Sequence, residues 1–301
     1  MVSWPDLGTR VTVRYRRPDG SVPPLTDVIG HLLDTTPLVR VRTKTGAVVQ
    51  FAPDDVVALR TLSDVPVRTS EIRALEHAAA LAWPGVEQHW LDGWLLRAGH
   101  GVTYGANSAV PLASSAGQAA IPAIVDWYRS RDLTPRLAIA DRLSPASGWY
   151  PQRITGAGEH ANRVLVRDLR ANEPDPSVRL SHRPDDAWFR LCQCEIPVDV
   201  LAAVVDGELV FGTHANAAVA RAAVTDAPDG TRWVGLSTVW VADLKSEGGR
   251  ALCEALLAWG ASRGATRGYL RIHDDNHATA DLARSLGFVL HHRARYVTPT
   301  T

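Results

Sequence analysis

What this 301-residue sequence lacks first is net charge: Lys plus Arg and Asp plus Glu each total 32. No global basic field draws it to polyanions, so neither nucleic acid nor a membrane surface is expected as a partner. Apolar runs of about 18 residues, the length that spans a bilayer, are also missing, which excludes a membrane-spanning helix. The opening residues Met1-Val2-Ser3-Trp4-Pro5-Asp6 have neither the basic flank nor the apolar stretch of a secretory signal, and a cytoplasmic protein is expected. Cysteine is scarce, with three in all and two of them close together at Cys192 and Cys194. That is too few for a disulfide framework or an all-cysteine zinc site, so the thiols are expected to be reduced and packed. What is present is 46% hydrophobic residues, enough for a sizeable core and for about two domains at roughly 150 residues each.

Residues 8 to 62 alternate apolar and polar side chains at period two, as in Arg10-Val11-Thr12-Val13-Arg14-Tyr15 and Leu38-Val39-Arg40-Val41-Arg42. Asp19-Gly20 and Thr45-Gly46 supply turns, and the segment reads as a small β-barrel whose arginines form a solvated outer face. After Asp64-Val65-Pro66 the spacing becomes helical through Glu71, Ile72, Leu75, Ala79 and Ala82, with Thr69 or Ser70 as N-cap. A strand near Gly93 to Arg97, a helix over 116–130 and a strand at Arg136 to Ile139 complete a mixed stretch that runs to about Arg170. Its Trp90, Trp94, Trp127 and Tyr128 read as core. Two prolines in Ala171-Asn172-Glu173-Pro174-Asp175-Pro176 mark a linker.

Beyond the linker, strands and helices alternate. The expected elements are a strand at 178–180, a helix from Pro184 carrying Trp188, Leu191 and Cys192, a helix over 198–205, and a hairpin of 209–214 with 217–224. A long strand at 233–242, a helix at 249–263, a strand at 268–273, a helix at 276–285 and a last strand from Phe288 toward Tyr296 follow. The predicted class is α+β, built on one mixed sheet.

The chemistry concentrates in residues 233–296. Strand Val239-Trp240-Val241 leads through Lys245-Ser246-Glu247-Gly248-Gly249-Arg250-Ala251 into a helix. Glycines at such a turn let a ligand approach the backbone, and the first helical N–H groups are free donors able to hold a pyrophosphate. The turn is neither a Walker loop nor the three-glycine dinucleotide fingerprint. Asn276 opens the next helix, and Gly287-Phe288 follow eleven residues later.

Together these features resemble the GNAT family of acyl-CoA N-acyltransferases over Val178 to Tyr296. The resemblance implies a GNAT fold at 176–301 that uses acetyl-CoA as co-substrate. Val239, Trp240 and Val241 would lie along the pantetheine arm, Gly248, Gly249, Arg250 and Ala251 would form the pyrophosphate loop, and Asn276 would stand at the mouth of the coenzyme site. It further implies a degenerate GNAT-like half at 68–170 and an SH3-like barrel at 1–64. The implied activity is N-acetylation of a primary amine, either a small molecule or a protein lysine, by direct attack in a ternary complex. A non-catalytic acyl-CoA-binding regulator and a scaffold acting through the barrel are the alternatives. Two departures stand out: no register of the glycine loop fits the family pattern, and Ala283 occupies the place of the usual Tyr acid. Positioning alone is worth up to about 7–11 kcal/mol, against roughly 3–5 for acid–base assistance, so catalysis survives that loss. His273, Asp274 and Asp275 are candidate bases and Tyr296 a candidate acid, although a strand end rich in Asp and His is more often a solvated loop. No metal site is expected, because His273, Asp274 and His277 have no ordered ligand spacing.

Overall fold

A computed structural model describes residues 4–62, 67–143, 160–170, 175–215, 217–242 and 247–299. Two compact units result, Met1–Pro66 and Val67–Thr301. The first contains β1 (Arg10–Arg16), β2 (Leu25–Asp34), β3 (Val39–Thr43), β4 (Val48–Phe51) and β5 (Val56–Thr61), in the sheet order β4-β3-β2-β1-β5. Period-two alternation puts Val11, Val13, Val28, Leu32, Val39, Val41 and Phe51 in one core. Arg14, Arg40 and Arg42 face solvent. Gly20 and Gly46, both at φ +86°, make the turns that their sequence context signals. The sheet is open among the described residues: no ladder joins β4 to β5, so the expected closed barrel is not what is seen.

The second unit opens with α1 (Thr69–Ala82), β6 (Glu87–Leu91), β7 (Trp94–Ala98), β8 (Val110–Pro111), α2 (Ile121–Arg129), β9 (Leu137–Ala140) and β10 (Ala161–Asp168). It continues with β11 (Val178–Ser181), α3 (Asp186–Cys192), α4 (Val198–Leu201), β12 (Glu208–His214), β13 (Ala218–Asp226) and β14 (Arg232–Val241). Last come α5 (Glu247–Ser262), β15 (Arg267–His273), α6 (His277–Ser285) and β16 (Val289–Val297). Strands β6, β7 and β8 form a small sheet; the other eight form one mixed sheet in the order β11-β12-β13-β14-β15-β10-β16-β9. Its one parallel pair, β14 with β15, is bridged by α5. A helical crossover is what parallel neighbours require.

Alternation sorts side chains to the two faces of this sheet. Val234, Leu236, Leu165, Leu270 and Ile272 join the core beneath α5 and α6. Trp233, Val164, Val166 and Tyr269 join the core beneath α1. The central strand β13 is buried along almost its whole length, as a strand covered on both faces must be.

Several local readings need correction. Helix α1 is capped by Arg68, whose backbone N–H donates to Glu71 at 2.6 Å, and not by Thr69 or Ser70. Helix α2 starts at Ile121 rather than near residue 116, because Pro122 suits the first turn of a helix and cannot sit further inside. Helix α4 is a single turn instead of an eight-residue helix: the chain peels off so that the Val205 N–H bonds the Leu81 carbonyl. Cys192 and Cys194 are joined in a disulfide where reduced thiols were expected. Gln193, at φ 51°, caps α3 in the left-handed conformation and turns the chain back, bringing the two Cα atoms to 5.1 Å. Cys253 is a free, buried thiol. Of the expected linker, positions 171–174 lie outside the described residues, as does most of Asp64-Val65-Pro66-Val67. Among the described residues no helix is long and apolar enough to cross a membrane.

Candidate active site

The site begins where β14 and β15 part. Their ladder runs only from Trp233 opposite Arg267 to Leu236 opposite Leu270. Past that point β14 stays with β13 as far as Val241, and β15 stays with β10 as far as His273. A bulge completes the separation: Arg221 pairs with Ser237, but Val219 pairs with Trp240, so Thr238 and Val239 together oppose Ala220. Bulges bend a strand and withdraw its backbone groups from the ladder. Thr238 sits at φ 51°, a region β-branched residues seldom enter. Strain of that kind, worth about 1–3 kcal/mol, concentrates at functional sites. Val239 and Val241 turn toward the α5 core, and Trp240 packs with Trp188 and Phe211.

On one side of the gap lies the start of α5. Gly248 and Gly249 are buried: a Cβ at Gly248 would stand 2.8 Å from His214 Nδ1, and one at Gly249 would stand 2.9 Å from Val241 Cγ1. Their absent side chains let the first turn of the helix rest on the ends of β12 and β14. The orphan N–H groups of that turn, at the positive end of the helix dipole, thereby come next to the freed strand. Arg250 is exposed and donates from Nη1 to the Ser285 carbonyl at 3.1 Å, and Ala251 packs against the core. Positions 243–246, including Lys245 and Ser246, lie outside the described residues. Asn276 caps α6 by accepting the Thr279 N–H at 3.0 Å. Ala283 is fully buried in the α5-side core.

On the α1 side the gap opens on a cavity of about 220 Å³, floored by Gly235, Leu236, Ser237 and Thr238 of β14. A side chain at Gly235 would collide with the ring of Tyr269. The walls carry charge. Glu76, 3% exposed, accepts through one oxygen from Arg271 Nη2 at 2.6 Å and bonds His292 Nε2 at 2.8 Å. Burial pushes the Glu76 carboxyl up, but the charge of Arg271 and the bond to His292 prevail and hold it well below the usual carboxylate range. The same carboxylate raises Arg271 against the effect of burial. Burial, aided by His292, pulls the neighbouring His291 imidazole down to about 3.

Two further guanidinium groups are buried without a carboxylate among the described residues. Arg97 donates to Trp83 O, Ser108 O and Ser108 Oγ. Arg221 donates to Leu201 O, Ala82 O, Ala203 O and Ser237 Oγ. Burial lowers both, Arg221 to about 10, and a guanidinium keeps its charge in proteins.

The candidate acid–base residues separate. Tyr296 lines the cavity together with Arg97 and Arg271. Asp274 does not: it binds Arg293 at 2.7 Å and Arg163 at 3.4 Å, which pins the end of β15 to β16 and β10. His273 is 40% exposed, within 3.6 Å of Asp275. It stands at the far end of an aromatic row, 6.1 Å from the His160 ring, where His160 Nε2 bonds the Tyr104 hydroxyl at 2.7 Å and Tyr104 stacks on Tyr296 at 5.4 Å. Glu76, Arg97, Arg221 and Arg271 escaped the sequence reading, although two of them gave a signal. Arg97 and Arg221 are lone charges in apolar runs, as in Ala218-Val219-Ala220-Arg221-Ala222-Ala223-Val224, and a charge in a buried strand needs a purpose, whereas Glu76 sits among Arg73 and His77 on a helix and gives no such signal. Among the described residues no group of three His, Cys, Asp or Glu side chains is placed to hold a metal.

Comparison with known proteins adds the following. Residues 69–297 match the family described as "Probable histone acetyltransferase Rv0428c C-terminal". Residues 5–60 match the Rv0428c N-terminal Sm-like domain, which replaces the SH3-like module implied by resemblance. The probable histone acetyltransferase Rv0428c of Mycobacterium tuberculosis is 62% identical over 300 residues, 99% of this chain and 97% of that protein. Among solved structures, a GCN5-related N-acetyltransferase from Kribbella flavida aligns at TM-score 0.49 and 15% identity, over 79% of this chain and 98% of its own. A putative GNAT-family acetyltransferase from Novosphingobium aromaticivorans aligns at TM-score 0.40 and 17% identity, over 56% of this chain and 76% of its own.

Proposed function

The chain belongs to the family of the probable histone acetyltransferase Rv0428c and is an acyltransferase; from that premise we propose that it moves an acetyl group from acetyl-CoA to a primary amine by direct attack in a ternary complex. The observation that carries this reading is the parting of β14 from β15 between a helix N-terminus and a charged cavity. The two sides divide the work. The N–H groups opening α5 at Glu247 to Arg250 suit a diphosphate, and the backbone at Val239, Trp240 and Val241, unpaired on its β15 side, suits an amide-bearing pantetheine arm. Ala251 and Asn276 support that side, as a packed helix turn and as a helix cap.

The acceptor enters from the cavity. Its neutral amine nitrogen attacks the thioester carbonyl carbon, a C–N bond forms, the C–S bond breaks with its electron pair going to sulfur, the nitrogen loses a proton and the thiolate gains one. Freed backbone N–H groups near the Thr238 bulge polarise the carbonyl. Tyr296, in the cavity wall, is the proton donor to the departing sulfur, a role that Ala283 in the buried core has no means to fill. The relative's name points to protein lysine as acceptor; a small amine is the other class. Purified full-length protein with acetyl-CoA and a panel of both is expected to release free thiol in step with N-acetylated product. Thiol release no faster than background hydrolysis across the whole panel would remove the transferase reading.

A further inference from the structure

The cavity on the α1 side has a charge imbalance that bears on what fills it. Arg97, Arg221 and Arg271 line it, and Glu76 is the one carboxylate among its lining residues. The end of α1 supplies some compensation, since the Ala82 and Trp83 carbonyls hold Arg221 and Arg97. A helix C-terminus is worth about half a negative charge. Three positive charges against one and a half negative leave roughly one and a half positive charges facing a desolvated space. Buried charge of that kind is costly until an opposite charge meets it.

The three arginines are not equally committed. Arg97 and Arg221 are 5% and 1% exposed and spend most of their donors on carbonyls and hydroxyls. Arg271 gives one nitrogen to Glu76 and makes no other hydrogen bond among the described residues, while its side chain is 22% exposed. Its remaining fork is free to take two oxygens in the side-by-side geometry that guanidinium and carboxylate share. The space is small. At about 220 Å³ it lies below the roughly 300–1,000 Å³ of pockets that take drug-sized ligands, which suits a small acceptor.

Building on the transferase reading above, we propose that the acceptor is a small molecule bearing a carboxylate as well as its amine, an amino acid or close analogue, and that this carboxylate docks on Arg271 in the field of Arg97 and Arg221. The amine then lies toward Gly235 to Thr238, where it attacks the thioester as written above. A lysine side chain presented by a basic peptide brings no anion to the arginines and a like charge against them. The cavity selects against it.

The test compares matched probes on the full chain. Acetyl-CoA turnover is measured with the common L-amino acids, with their amides and with a lysine-rich peptide. In parallel, calorimetry measures binding of N-acetyl amino acids, the reaction products, against N-acetyl amino acid amides. The preferred acid is expected to exceed its amide about ten- to hundredfold in kcat/KM, and its product to bind more tightly by the same factor. Arg271→Lys keeps a cation beside Glu76 but loses the fork, and should shrink that acid-to-amide ratio about tenfold, a readout that general damage to the fold leaves unmoved. Thiol release with acids and amides turned over equally, or with the peptide preferred, overturns the carboxylate assignment and leaves the transferase reading intact. Products that bind through Arg271 without thiol release from any amine keep the carboxylate subsite and sink the transferase reading. Products that bind no better than their amides overturn the subsite.

Discussion

Replacing Glu76 with alanine is expected to cost the 67–301 unit about 3–5 kcal/mol of stability, the range for breaking a buried ion pair from one side. Two groups lose their partner together. Arg271 and His292 both bind the same Glu76 oxygen, at 2.6 and 2.8 Å, and the carboxylate is 3% exposed, so its removal leaves both without their acceptor. For a unit of this size the loss corresponds to a fall in Tm of roughly 6–20 °C. The sign with pH follows from the direction of the shift. Because the folded carboxyl is held below its usual value, its contribution is present above that value and disappears as pH falls through and below it. The gap between wild type and Glu76→Ala should therefore be widest near neutrality and close on acidification. His291, whose imidazole is pulled down to about 3 by burial and His292, also sheds stability as pH falls from its usual range toward 3; Glu76 opposes that pull, so its removal makes the His291 loss larger and trims the closing of the gap. Asp281→Ala, which removes an exposed pair with Arg284, should leave Tm unchanged. Thermal unfolding of the three proteins across pH checks the whole set, and an unchanged Tm in Glu76→Ala would show that the buried network does not hold this unit together.

Tyr296→Phe should lower kcat by roughly 10²–10⁴-fold while leaving the fold and the affinity for acetyl-CoA in place. The phenolic oxygen makes no hydrogen bond among the described residues, and the ring keeps its stack on Tyr104 whether or not the oxygen is present. Little stability is therefore at risk, and a loss of rate reports on chemistry. Steady-state turnover, with unfolding monitored in parallel, separates the two. A loss of less than threefold would remove Tyr296 from the proton transfer.

Period-two and helical spacing carried most of the second unit in the sequence. The strand from Trp233, the helix after Gly249 and the strand from Gly268 stand within two residues of β14, α5 and β15. Periodicity could read these because each element buries one face, or two in the case of β13. It could not read β10, the strand that slides between β15 and β16, since Ala161 to Asp168 holds only the short apolar run Val164-Leu165-Val166 between two arginines and no sustained alternation. The proposed acyl-donor side is local in sequence, a strand, a turn and a helix, which is why sequence alone could single it out. The proposed acceptor side is not local: Glu76 meets Arg271 across 195 positions and His292 across 216. Only the fold brings those residues together. Gly248 and Gly249 were legible as special for a reason that needs refinement. They seat the helix on Val241 and His214, so the space beside them is filled by those side chains and is not open to a ligand.

A crystal structure of the full chain with acetyl-CoA tests the central claim most directly. The account places the diphosphate at the first turn of α5, and the thioester in the gap beyond Leu236 and Leu270 with its acetyl end toward Tyr296. Coenzyme bound elsewhere, or a ladder between β14 and β15 that closes past Leu236 in the complex, would contradict it.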